Sequence, residues 1–167
     1  MIPNDGDRVE LEIRRLQHDD EAHQCAQLMA NSEPWITLRR TDDESLRILR
    51  NPSKEVYVAL IKGKFAGFTI LDLNGAFRGY IQTIALMPEW RNHGIGRKLI
   101  KFAEERIFRE APNVFICVSS FNPNAQRLYA RLGYERVGEL KDYVVAGHSE
   151  FLLRKTIAPL TEFKPTA

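Results

Sequence analysis

Cysteine is scarce: Cys25 and Cys117 are the only two in 167 residues. One falls in an expected helix and one in an expected strand, without metal-ligand spacing, so the reading favours two buried reduced thiols over a disulfide. His18, His23, His93 and His148 are scattered and form no metal cluster, so no metal is expected. Apolar runs fall far short of a membrane span. The start, Met-Ile-Pro-Asn-Asp-Gly-Asp, lacks the basic and apolar regions of a signal peptide. The expectation is a cytoplasmic protein without a membrane partner. Charge imbalance is also missing: a net charge of +2, with no basic tract interleaved with aromatics, argues against nucleic acid. No internal repeat or low-complexity segment appears. A hydrophobic fraction of 44% beside 28% charged residues is that of an ordinary globule, so a single domain over residues 1–167 is expected.

Periodicity orders the chain. Val9, Leu11 and Ile13 alternate as an opening strand, and Asp19-Asp20 lead a helix to Ala30. Asn31–Trp35 interrupts it, and a second helix runs from about Asp42 to Arg50 before Asn51-Pro52. Val56–Ile61 and Phe65–Leu71 read as a hairpin around Lys62-Gly63-Lys64. Tyr80–Leu86, rich in β-branched residues, is a third strand closed by Pro88. From Gly94 to Arg109, Ile95, Leu99, Ala103 and Ile107 recur on one helical stripe, which predicts a crossover to a parallel strand at Val114–Val118. Asn122 and Pro123 open a helix whose inner stripe is Ala125, Leu128, Tyr129 and Leu132, with Gly133 ending it. Strands near Tyr134–Leu140 and Glu150–Lys155 follow, and the tail from Pro159 is expected to be loose.

The most informative stretch is Met87-Pro-Glu-Trp-Arg91-Asn-His-Gly94-Ile-Gly96-Arg97. Strand, glycine turn and helix start together make an anion site: glycines let amides approach, the first helical turn has unpaired donors, and the macrodipole is positive there. A dinucleotide fingerprint would need a third glycine where Leu99 stands, and a P-loop would need Lys-Ser or Lys-Thr where Arg97-Lys98 stands. Both fail. Arg91-x-x-Gly94-x-Gly96 resembles instead the acetyl-CoA pyrophosphate loop of the GNAT N-acetyltransferase superfamily. A second motif agrees: Asn122-x-x-Ala125-x-x-Leu128-Tyr129-x-x-Leu132-Gly133-Tyr134 is similar to that superfamily's fourth-helix signature. The element order is similar as well, over about residues 9–156, with 157–167 as tail. Asp142-Tyr143 and the Glu150 strand resemble the ribosomal-protein alanine acetyltransferase branch.

The resemblance implies an α/β (α+β) GNAT fold, a central mixed, mostly antiparallel sheet of about seven strands flanked by about four helices. It implies acetyl-CoA as co-substrate and direct attack by a primary amine in a ternary complex. Ile84, Ala85 and Leu86 would pair with the pantetheine arm through their backbone. Arg91, Asn92, His93, Gly94, Ile95, Gly96 and Arg97 would hold the pyrophosphate, Asn122 would contact the CoA arm, and Tyr129 would protonate the departing thiolate. From the residues alone, Asn122 is explained as a helix cap and Tyr129 reads first as a core aromatic. Glu33, Trp35 and Tyr143 border the implied acceptor site, although Trp35 also reads as a lid over the core and Tyr143 as an ordinary strand aromatic.

One departure bears on mechanism. In the alanine acetyltransferase branch a glutamate stands twelve residues before the tyrosine, and here that position is Cys117; Gln82 takes the place of another carboxylate common in relatives. The amine would then lose its proton through water or arrive neutral, which is easier for an α-amino group of pKa roughly 7.7–8.0 than for a lysine near 10.4. Glu33 and Glu150 are the carboxylates to suspect should a base exist. The acceptor is a protein N-terminus or a small-molecule amine, the protein a monomer or homodimer. The alternative is a CoA-binding sensor or scaffold without turnover.

Overall fold

The computed structural model describes residues 10–166; Val9, expected in the opening strand, lies outside them. The chain runs β1 (Leu11–Arg15), α1 (Asp19–Ala30), α2 (Asp42–Leu49), β2 (Glu55–Ile61), β3 (Lys64–Asp72) and β4 (Tyr80–Leu86). A short 3-10 turn at Pro88–Trp90 leads to α3 (Ile95–Ile107), β5 (Asn113–Ser119), α4 (Pro123–Arg131), β6 (Glu135–Lys141) and β7 (Ser149–Thr156). The expected sequence of elements is present.

Local chemistry explains the boundaries. Glu21 folds back over the start of α1, its Oε2 accepting from the Gln17 and His18 amides at 2.9 and 3.2 Å and its Oε1 from Arg14 Nη2 at 2.6 Å. Thr41 and Glu44 form a reciprocal capping box on α2. Lys62 and Gly63, at φ 50° and 75°, form the two-residue left-handed turn between β2 and β3.

The sheet order is β1-β2-β3-β4-β5-β7-β6, parallel only between β4 and β5. Strand β7 therefore lies between β5 and β6, a placement that chain order alone does not give. α3 and α4 cover one face, burying Ile81, Ile100, Ile107, Val114, Ile116 and Tyr129 together. α1 and α2 cover the other across β2 to β4, where Cys25, Met29, Val58, Phe68 and Ile70 meet. Both cysteines are free thiols, but only Cys25 is buried; Cys117 is partly exposed, since it points to the face of β5 away from the cluster that buries Val114, Ile116 and Val118. The tail also departs from expectation. Ile157 N donates to Pro112 O and Thr166 N to Arg109 O, each at 3.0 Å. Leu160, Phe163 and Pro165 line a hollow with Phe77 and Phe115, so apolar surface holds the tail against the α3–β5 connection.

Candidate active site

The site begins with a defect in β4. Ile70 pairs with Thr83 and Leu71 with Ile81, which leaves Gln82 opposite nothing: a β-bulge. On its other edge β4 pairs with β5 only at Tyr80–Phe115 and Ile81–Ile116, and beyond those residues the strands part. Gly79 closes the base of the gap. Its carbonyl accepts from Phe115 N at 2.9 Å, and a Cβ at this position would sit 2.3 Å from Asn113 O. Ile84, Ala85 and Leu86 thus stand on the splayed half of β4, with backbone groups that have no β5 partner. The Gln82 Oε1 is buried without a hydrogen-bond partner.

Above the gap, the loop into α3 is shaped as an anion cradle. Asn92 at φ 62° and Gly94 at φ 76° turn the backbone, and Gly94 takes the position before the first residue of α3. Among the described residues, no amide from Asn92 to Arg97 donates a hydrogen bond within the chain, whereas Arg91 N and Lys98 N do. Such a run of free donors at a helix start suits a phosphate. Asn92, His93 and Arg97 are exposed, while Ile95 is buried and a Cβ added at Gly96 would sit 3.4 Å from Leu86 Cδ1, so the loop is anchored through its apolar side. Arg91 is a brace as well as a cation: its Nε donates to Leu86 O and its Nη2 to Ser32 Oγ, both at 3.1 Å. The Leu86 carbonyl is therefore already engaged.

On the α3–α4 side, Asn122 Oδ1 accepts from Ala125 N at 3.2 Å, the cap its position suggests. Its amide nitrogen keeps its donors. Tyr129 is 7% exposed and stands edge-on to Tyr134, ring centroids 5.5 Å apart. Burial raises its phenol well above the ordinary range, with no charged neighbour contributing. It holds its proton at neutral pH, as an acid must.

The opposite face carries a polar group that sequence alone did not join. Ser119 on β5 faces Glu150 on β7, and its Oγ donates to Glu150 Oε1 at 2.6 Å, with both residues buried. Burial raises the Glu150 carboxyl, partly countered by Ser119 and His148. Tyr80 is raised too, first by burial and then by Cys117, Tyr143 and Glu150. Ser119 and Tyr80 went unrecognised as site residues because only strand register brings them to Glu150. Of the acceptor-side candidates, Glu33 spends its carboxylate on Thr37 N and Oγ1 at 3.2 and 3.0 Å, and Trp35 packs on the α1–α2 core. Tyr143 is 65% exposed in the β6–β7 connection.

Known proteins resemble the chain in sequence and in fold. A sequence model of the acetyltransferase (GNAT) family matches residues 16–134. The N-alpha-acetyltransferase RimI of Mycobacterium tuberculosis is 28% identical over 143 residues, 81% of this chain and 86% of that protein. An uncharacterised protein of Mycobacterium leprae is 32% identical over 92 residues, 54% of this chain, and the chain spans only 25% of its length. In fold, the chain resembles Arabidopsis thaliana NAA60 in complex with a bisubstrate analogue, at a TM-score of 0.72 and 17% identity over 88% of this chain and 98% of that one. Relatives named as acetyltransferases do not favour the reading of a non-catalytic CoA module. With the family matched over most of the chain and the parted strands beneath its anion loop, the chain belongs to the acetyltransferase (GNAT) family, N-acetyltransferases whose co-substrate is acetyl-CoA.

Proposed function

We propose that the protein acetylates the α-amino group of a peptide N-terminus in the cytoplasm. The observation that carries this reading is the gap between β4 and β5, which has unpaired amides at Asn92–Arg97 above it and a buried, protonated Tyr129 on one face. The likeness to an N-alpha-acetyltransferase over 86% of that protein's length supports an α-amine over other amines. The amides of Asn92–Arg97, with His93 and Arg97, hold the pyrophosphate of acetyl-CoA. The free backbone of Ile84 and Ala85 pairs with the pantetheine arm as an added strand would, while Arg91 keeps the Leu86 carbonyl. Asn122 offers its side-chain N–H groups to the same arm. Tyr129 gives its proton to the sulfur as the tetrahedral intermediate collapses. Trp35 shapes the acceptor end from within the core, Glu33 holds the loop around Thr37, and the exposed Tyr143 lies over the incoming peptide.

The test is thiol release from acetyl-CoA against N-terminal peptides, polyamines, aminoglycosides and free amino acids. Turnover is expected with peptides, at a kcat/KM at least tenfold above that with the other acceptors. Turnover confined to polyamines or aminoglycosides would overturn the acceptor class. No release with any acceptor would overturn the activity itself.

A further inference from the structure

Neither Cys117 nor Gln82 offers a carboxylate, yet register brings one in from the neighbouring strand. In the β5–β7 ladder Ser119 faces Glu150 and Cys117 faces Leu152, so Glu150 shares a sheet face with Cys117 and lies diagonally across from it. The alternate β5 residues Val114, Ile116 and Val118 point the other way, into the cluster that holds Tyr129. Glu150 and Tyr129 therefore occupy opposite faces of the sheet beside the parted strands. A carbonyl lodged between β4 and β5 would be open to both. Glu150 is 6% exposed, and Ser119 Oγ is the one donor to its carboxylate among the described residues, which leaves Oε2 free.

We propose that Glu150 is the general base that removes a proton from the acceptor amine. The inference rests on the acetyl-transfer reading. Glu150 takes one N–H proton from the ammonium, and the freed lone pair forms the C–N bond to the acetyl carbon while the C=O π pair moves to oxygen, to return as the C–S bond breaks. The C–S bond then breaks with its electron pair going to sulfur, which takes the Tyr129 proton. The nitrogen sheds its second proton, so that of the two it loses, one is balanced on the CoA thiol by way of Tyr129 and one goes to solvent. The titratable groups facing Glu150 are Cys117 on β5, Tyr80 on β4 and His148 from the β6–β7 connection, with Tyr143 of that connection beside Tyr80. Ser119 is the handle on it, since its hydrogen bond favours the ionised form.

The experiment measures kcat/KM against pH for the full chain and two variants, with a peptide acceptor that the parent turns over. Glu150→Gln keeps the shape and the acceptor atom for Ser119; it should lower kcat/KM about 10²-fold at neutral pH. The rise in thermal midpoint that acetyl-CoA produces should remain. Ser119→Ala should push the acid limb of the profile to higher pH while keeping the plateau, a shift that a purely structural role does not produce. Parent-like kcat/KM in Glu150→Gln, or an unmoved acid limb in Ser119→Ala, would overturn the base and leave acetyl transfer standing. A parent that releases no thiol with any acceptor would overturn both.

Discussion

At the scale of single residues, Tyr129 and Gly94 separate chemistry from packing. Tyr129→Phe keeps the ring that stands edge-on to Tyr134 and removes only the hydroxyl. Stability should stay within about 0.5 kcal/mol. Turnover should fall on the order of 10²-fold in kcat, since a thiolate of pKa about 8.5 leaves fairly well unaided. A variant with parental turnover would make Tyr129 a core aromatic and nothing more. Gly94→Asp reads the other half of the site. A Cβ at Gly94 meets nothing within 4 Å, so the substitution does not clash with the chain, and aspartate tolerates the left-handed φ of 76° at a cost of about 1 kcal/mol. Its charge would nevertheless stand among the free amides. The folded variant should lose the acetyl-CoA-dependent rise in thermal midpoint that the parent shows; an undiminished rise would mean that the pyrophosphate lies elsewhere.

At the scale of elements, β4 decides the site because it is paired along one edge and only briefly along the other. Gly79→Ala tests that arrangement. The added methyl would fall 2.3 Å from Asn113 O and 2.6 Å from Ile107 Cγ2 on a backbone at φ 91°, so the β4–β5 start cannot close as it does. The expected loss is about 2–4 kcal/mol in urea unfolding, with reduced turnover in whatever folds. A neutral result would show that the base of the gap can open without cost. Much of this architecture was legible locally. Pro88, Gly94, Asn122-Pro123 and Gly133 punctuate the strands and helices at the chain positions where the structure changes direction, because capping and left-handed turns are decided within a few residues. The glycine turn into α3 was legible for the same reason. The bulge at Gln82, the insertion of β7 between β5 and β6, and the Arg91–Ser32 brace were not. Each depends on register or on contacts between residues as far as 59 positions apart, and no local pattern encodes those.

At the scale of the whole molecule, ionised side chains divide into those that stabilise the fold and one that costs it. The Glu21 carboxyl is held down at about 2, first by Arg14, against the opposing effect of burial, and then by the Gln17 and His18 amides. Burial, the largest single influence on Glu55 and Asp72, pushes both up, but Arg106 and Tyr57 together lower Glu55, and Lys54 with the Asn74 amide lowers Asp72. A carboxyl whose native pKa lies below its unfolded value stabilises the fold above that unfolded value and loses the contribution as pH falls through the native one. Stability should therefore decline from about pH 5 toward pH 2. Glu150 runs the other way. Burial raises its native pKa, so its contribution is most favourable in acid and is lost as pH rises from the unfolded value through the native one. Urea unfolding at pH 2, 4 and 7 should then sort two otherwise similar variants. Glu21→Gln should lose about 2 kcal/mol at pH 7 and little at pH 2, flattening the acid limb. Glu150→Gln should be at least as stable as the parent at pH 7, which is how a carboxylate kept for proton transfer differs from one kept for the fold. A loss at pH 7 in Glu150→Gln equal to that of Glu21→Gln would instead assign Glu150 to the structure, as the partner that Ser119 needs.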